Sequence, residues 1–146
     1  FVNAFIDKKY HMNIVVTHKE AMNYVNALNG ETSLFVHIFL TNDGEQCLSI
    51  GAGDKNRRIV IANSIVNSDG TLVGGRLIDP SVIGYDESVK FLDEDLRSRT
   101  PWALRQTVSI ETATRVAQYF VEHECVPNDT IWEMPVNPPF DFTEEE

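Results

Sequence analysis

Apolar side chains recur at Ala113, Val116, Ala117, Phe120 and Val121, the i, i+3, i+4, i+7, i+8 spacing that lines one face of a 3.6-residue helix. Ser109 stands where an N-cap hydroxyl is expected. Pro127 lacks an N–H and biases Val126 away from helical geometry, so the helix should end near Cys125. Asn128-Asp129 then supplies a turn, and Thr130-Ile131-Trp132-Glu133 reads as a terminal strand. The helical stripe must be buried.

Upstream, Thr17 followed by Glu20 is a capping-box pattern that opens a helix over residues 18–29, with Ala21, Met22, Val25 and Leu28 on one stripe and Gly30 available for a left-handed stop. Residues 32–41 are β-branched and aromatic, and Asn42-Asp43-Gly44 gives hairpin chemistry into residues 46–50. Residues 58–65 resume as a strand, residues 67–70 turn, and residues 71–78 return. Gly74-Gly75 inside that last strand predicts a bulge or a close approach by another backbone. The continuous apolar run near Phe35 implies cover on both faces of its strand, with the two helices on one side. Residues 79–107 are irregular, with a short helix around residues 87–96. The fold expected is α+β: an antiparallel meander sheet of about five strands with an N-terminal and a C-terminal helix packed on it.

At 146 residues and 42% hydrophobic, the chain has the material for one domain with a real core. Residues 12–134 form it. Residues 1–11, ahead of the first methionine Met12, read as vector-derived, a cleaved remnant or a genuine leading strand, and residues 135–146 as an acidic, proline-containing tail. No run approaches the roughly 18 apolar residues of a membrane span and no export signal is visible, so a cytoplasmic protein is expected. Cys47 and Cys125 cannot make a disulfide framework and read as small buried apolar groups.

The net charge of -10 is uneven. Asp79, Asp86, Glu87, Asp93, Glu94 and Asp95 face only Lys90 within residues 79–95, and Glu133, Asp141, Glu144, Glu145 and Glu146 meet no base in residues 133–146, while the rest of the chain is balanced. Such a molecule repels nucleic acid and anionic membrane and steers basic partners toward itself. The last three glutamates read as a solubilising tail, and residues 79–95 read equally as an acidic loop with no partner or as a binding surface. The internal acids lie between structured elements, where binding loops concentrate.

Familiar chemistry is missing. His123-Glu124-Cys125 are consecutive, and successive helical residues diverge by about 100 degrees, so they do not converge on one ion. The acidic segments lack calcium-loop spacing, residues 51–55 lack the phosphate cradle of a P-loop, and the zinc-deaminase signature is absent. His37 lies in an apolar strand and reads as a hydrogen-bonded sheet histidine. No enzyme activity, cofactor, metal, nucleic-acid or membrane partner is expected, although His37 or His123 acting as a base in an unfamiliar enzyme stands as a remote reading.

The last third of the chain resembles the immunity-protein family one (Imm-one) of bacterial polymorphic toxin systems, through Ala117, Phe120 and Val121 of the helix, Pro127, and the terminal Ile131, Trp132 and Glu133, with Pro101-Trp102 ahead of the helix. The resemblance is only architectural over the first two thirds. It implies a non-enzymatic protein that binds and blocks a cognate toxin domain, often a nucleic-acid deaminase or nuclease. The partner-binding residues expected on that reading are Asp79, Asp86, Glu87, Asp93, Glu94 and Asp95, with Trp102 as an aromatic anchor. Trp102 has an equal reading as core. The alternative is a small-ligand-binding or self-assembling α+β module with no toxin partner.

Overall fold

A computed structural model describes residues 2–6, 12–29, 35–39, 46–52, 58–66, 72–92 and 99–136. The elements run β1 (Val2–Ile6), β2 (Met12–Val16), α1 (His18–Asn26), β3 (Phe35–Phe39), β4 (Gln46–Ala52), β5 (Ile59–Val66), β6 (Leu72–Leu77), β7 (Ser88–Leu92), β8 (Arg99–Ala103), a 3-10 turn (Leu104–Gln106), α2 (Ile110–His123) and β9 (Trp132–Glu133). The fold is α+β, as the pattern predicts. A seven-stranded sheet has the order β2-β1-β3-β4-β5-β6-β9, and β7 and β8 make a separate pair. Every pairing is antiparallel. The meander β3-β4-β5-β6 is its centre, and β1, within residues 1–11, pairs on both sides, with β2 and with β3.

Both helices start where local chemistry says they should. The Thr17 hydroxyl accepts from the Glu20 N–H at 3.1 Å, and the Glu20 carboxylate accepts from the Thr17 N–H at 2.9 Å, so two orphan donors are satisfied reciprocally. The Ser109 hydroxyl accepts from the Thr112 N–H at 3.2 Å. Helix α2 stops at Glu124, whose backbone takes the left-handed conformation (φ 61°) and donates to the Phe120 carbonyl at 2.8 Å. That stop leaves Cys125 past the helix and exposed rather than buried, while Cys47 is half-buried, and both thiols are free.

Ala113, Val116, Ala117, Phe120 and Val121 are all buried. They pack with Ala21, Met22, Val25 and Leu28 of the α1 segment against Val36, Ile38, Leu48, Ile50, Ile59, Ile61 and Leu77 of the sheet. The apolar run of β3 therefore divides by the period of two: Val36 and Ile38 enter this core, and Phe35, His37 and Phe39 stay half-buried on the other face. Both helices lie in the one core, on one side of the sheet, as expected.

Two glycines in β6 work as expected. A Cβ on Gly74 would lie 1.8 Å from the Asn63 carbonyl oxygen, and one on Gly75 would lie 2.9 Å from that of Glu133. Both neighbours are backbone, which cannot rotate away. The short helix expected around residues 87–96 is instead strand β7 in its described part, because Phe91 is buried while Ser88 and Lys90 are exposed, the alternation of a strand with one face covered.

Phe120→Ala should cost about 3 to 5 kcal/mol in a denaturant melt, and a loss below about 1 kcal/mol would place another residue at the centre of the core. Gly74→Ala should cost about 1 to 3 kcal/mol by forcing β5 and β6 apart.

Candidate functional site

The acidic segment begins directly after β6 and is held by side chains from three distant parts of the chain. Arg58, just ahead of β5, donates through Nε to the Thr107 hydroxyl at 2.9 Å and through Nη2 to the Asp79 carboxylate at 3.2 Å. The other Asp79 oxygen accepts from the Ser81 N–H at 3.0 Å and the Ser81 hydroxyl at 2.6 Å. Arg105, in the 3-10 turn, donates to the Val82 carbonyl at 2.6 Å and to the Glu133 carboxylate of β9 at 3.1 Å. Tyr85 donates its hydroxyl to the remaining Glu133 oxygen. Residues 79–85 are thus fixed against the 3-10 turn and β9.

Gln106, fully buried, closes the arrangement. Its amide nitrogen donates to the Met134 carbonyl at 2.8 Å, and its amide oxygen accepts from the Val136 N–H at 3.0 Å and from Arg76 Nη1 at 3.2 Å. The charged groups respond to these contacts. The Tyr85 hydroxyl and then Arg105 hold the Glu133 carboxyl below the usual range, and the same bond to Glu133 pushes the Tyr85 phenol up. For Asp79 burial acts upward, yet donation from Ser81 and Arg58 outweighs it and the carboxyl sits below its ordinary value.

Asp79 is thus occupied internally, with its carboxylate paired to Arg58. Asp86 and Glu87 are exposed just ahead of β7. Asp93, Glu94 and Asp95 lie outside the described residues. Trp102 is half-buried on β8, stacked on Phe91 at a centroid distance of 5.8 Å, with the Arg76 guanidinium 4.1 Å from its ring centroid. Of the predicted partner-binding residues, Asp86 and Glu87 are together on the surface, while Asp79 and Trp102 build the support.

Charge patterning passed over the apolar part of this surface. Ile83 is 92% exposed, Met134 73% and Ile131 54%. They are three of the four large apolar side chains that stand exposed among the described residues, and the Tyr85–Glu133–Arg105 contacts join the two segments that carry them. The signal was present: Val82-Ile83 interrupts a loop otherwise made of Pro, Ser, Gly, Tyr and acids, and Gly84 beside it has φ +79°, where glycine costs least. Ile83, exposed beside the carboxylates of Asp86 and Glu87, has the anatomy of a protein-binding surface.

The sites weighed for catalysis look different. His37 Nδ1 and the Ser49 hydroxyl are hydrogen-bonded at 2.7 Å across β3 and β4, the sheet-face role expected of this histidine. Cys47 Sγ is 3.6 Å from the same hydroxyl, and burial pushes its thiol up, away from a nucleophilic thiolate. The His123 ring lies tilted against Tyr119, 4.3 Å between ring centroids. Among the described residues no group of three His, Cys, Asp or Glu side chains is placed to hold a metal ion, and no helix is long and apolar enough to cross a membrane. No protein-family model matches the chain, and neither a curated protein nor a solved structure matches it.

A group whose folded pKa is depressed contributes stability above its unfolded pKa and loses it as pH falls through the folded value. The Glu133 contribution should therefore be complete at neutral pH and disappear in the acid range below ordinary glutamate. Melting temperature followed from neutral to acid pH should fall less steeply in Glu133→Gln than in the parent, and parallel curves would mean that Tyr85 and Arg105 leave this carboxyl unperturbed.

Proposed function

We propose that the chain is an immunity protein, one that binds a cognate bacterial toxin domain with a basic surface and neutralises it by stoichiometric occlusion. The observation that carries this reading is the loop of residues 79–87, which side-chain hydrogen bonds hold in one conformation while Ile83 stands 92% exposed beside Asp86 and Glu87. A fixed loop loses little conformational freedom on docking, so most of the gain from burying Ile83 remains as affinity. The carboxylates, with those of Asp93, Glu94 and Asp95 next in sequence, speed the encounter with a cationic surface. A toxin acting on nucleic acid, such as a deaminase or nuclease, presents such a surface around its substrate cleft. The resemblance of the last third of the chain to Imm-one proteins points the same way, and catalysis and metal, cofactor or membrane binding have no part in this mechanism.

Co-expression with the product of the neighbouring gene should relieve that product's toxicity and yield a one-to-one complex whose association rate falls with added salt. Ile83→Asp should raise the dissociation rate about tenfold or more, and Asp86→Lys with Glu87→Lys should slow association about tenfold at low salt. These exposed positions should leave stability within about 0.5 kcal/mol. A companion that is neutral or acidic, or one that binds both variants with unchanged rates, would overturn the proposal.

A further inference from the structure

The sheet ends on two unlike strands. At one end β9 is two residues long, whereas at the other β2 is five and pairs with β1 alone among the described residues. That pairing is regular along the whole strand, from Met12 to Val16. One row of β2 peptide groups is therefore turned away from the sheet, and such a row is a template for another strand. The residues that usually blunt it are missing: Met12-Asn13-Ile14-Val15-Val16 holds no charge, no proline and no glycine. Val15 on this strand is 63% exposed, the fourth of the large apolar side chains that stand in water among the described residues. Val16 beside it is buried in the core under the sheet.

Charge decides what can pair there. The surplus carboxylates Asp86, Glu87 and Glu133 belong to segments at the β6–β9 end. Five strand positions separate β6 from β2, about 24 Å at about 4.8 Å each. The Debye length at physiological salt is about 8 Å, so those acids neither draw a cationic partner to β2 nor repel an acidic one from it. Residues 1–29 carry Lys8, Lys9 and Lys19 against Asp7 and Glu20, which leaves this end near neutral. A second copy, with its net charge of -10, is opposed at the acidic end and meets far less repulsion at β2. An antiparallel edge also matches itself. A two-fold axis through Ile14 sets Ile14 opposite Ile14, Asn13 opposite Val15 and Met12 opposite Val16, using all five residues of both strands. Opposed residues project to the same side, so this register keeps the helix-covered faces of the two sheets level.

We propose that the protein self-associates through β2, two copies joining edge to edge into one continuous antiparallel sheet with a carboxylate-bearing loop toward each far end. The contact is separate from the partner-docking loop and does not depend on toxin inhibition. Five residues a side fall short of the roughly 1,200 Å² of a stable complex, so a dissociation constant on the order of 10 μM is expected. Sedimentation of the full chain from about 1 to about 300 μM should show monomer giving way to dimer. Asn13→Lys with Val15→Lys opposes lysine with lysine at two symmetric crossings and should weaken association about tenfold. Asn13→Lys with Val15→Glu opposes lysine with glutamate at the same crossings and should stay within about threefold of the parent. Amide exchange of the parent carries the test if a variant fails to fold, since protection of residues 12–16 should rise with protein concentration. A monomer throughout the range, a dimer that both variants leave unchanged or weaken alike, or exchange at residues 12–16 indifferent to concentration would overturn the proposal.

Discussion

Among the described residues both helices bury their apolar stripes against one face of the sheet, so the segments at its β6 and β9 border are held by other means. The core of Phe120, Val116, Leu28 and the inward residues of β3, β4 and β5 removes large apolar side chains from water on that side. At the β6 edge the work passes to long polar side chains. Arg58, Arg105 and Gln106 reach the segments after β6, between β8 and α2, and after β9, which are far apart in sequence. Hydrogen bonds to charged groups contribute more than neutral ones, and these are shielded enough to keep part of that strength.

This division of labour shapes what the surface can do. A loop fixed by its neighbours' side chains does not need its own apolar residues for support, which is why Ile83 can stand in water at no cost to the fold. Asp79 gives up its availability to partners in order to hold the loop, leaving display to Asp86 and Glu87.

What could be read from sequence was local. The Thr17–Glu20 box, the Ser109 cap and the stripe through Phe120 involve residues within one or two turns of each other, and the structure repeats them closely. Gly74-Gly75 was legible because a missing Cβ points to a close neighbour even when the neighbour is unknown; Asn63 and Glu133 are those neighbours. The insertion of β1 between β2 and β3, the β7–β8 pairing and the Tyr85–Glu133–Arg105 contact depend on segments up to dozens of residues apart. Periodicity carries no record of such meetings. Net charge likewise could not separate Asp79, bound inside, from Asp86, displayed outside.

Gln106 has a consequence for solubility. Ile131 turns its carbonyl toward β6, where the Ile78 N–H donates to it at 3.1 Å, so by alternation Met134 and Val136 turn their peptide groups outward. The Gln106 amide meets those two groups from outside, matching a donor to a carbonyl and an acceptor to an N–H as the peptide of an added strand would. A single side chain thus terminates the ladder at this border, and a foreign chain seeking to extend it would first have to displace a buried amide.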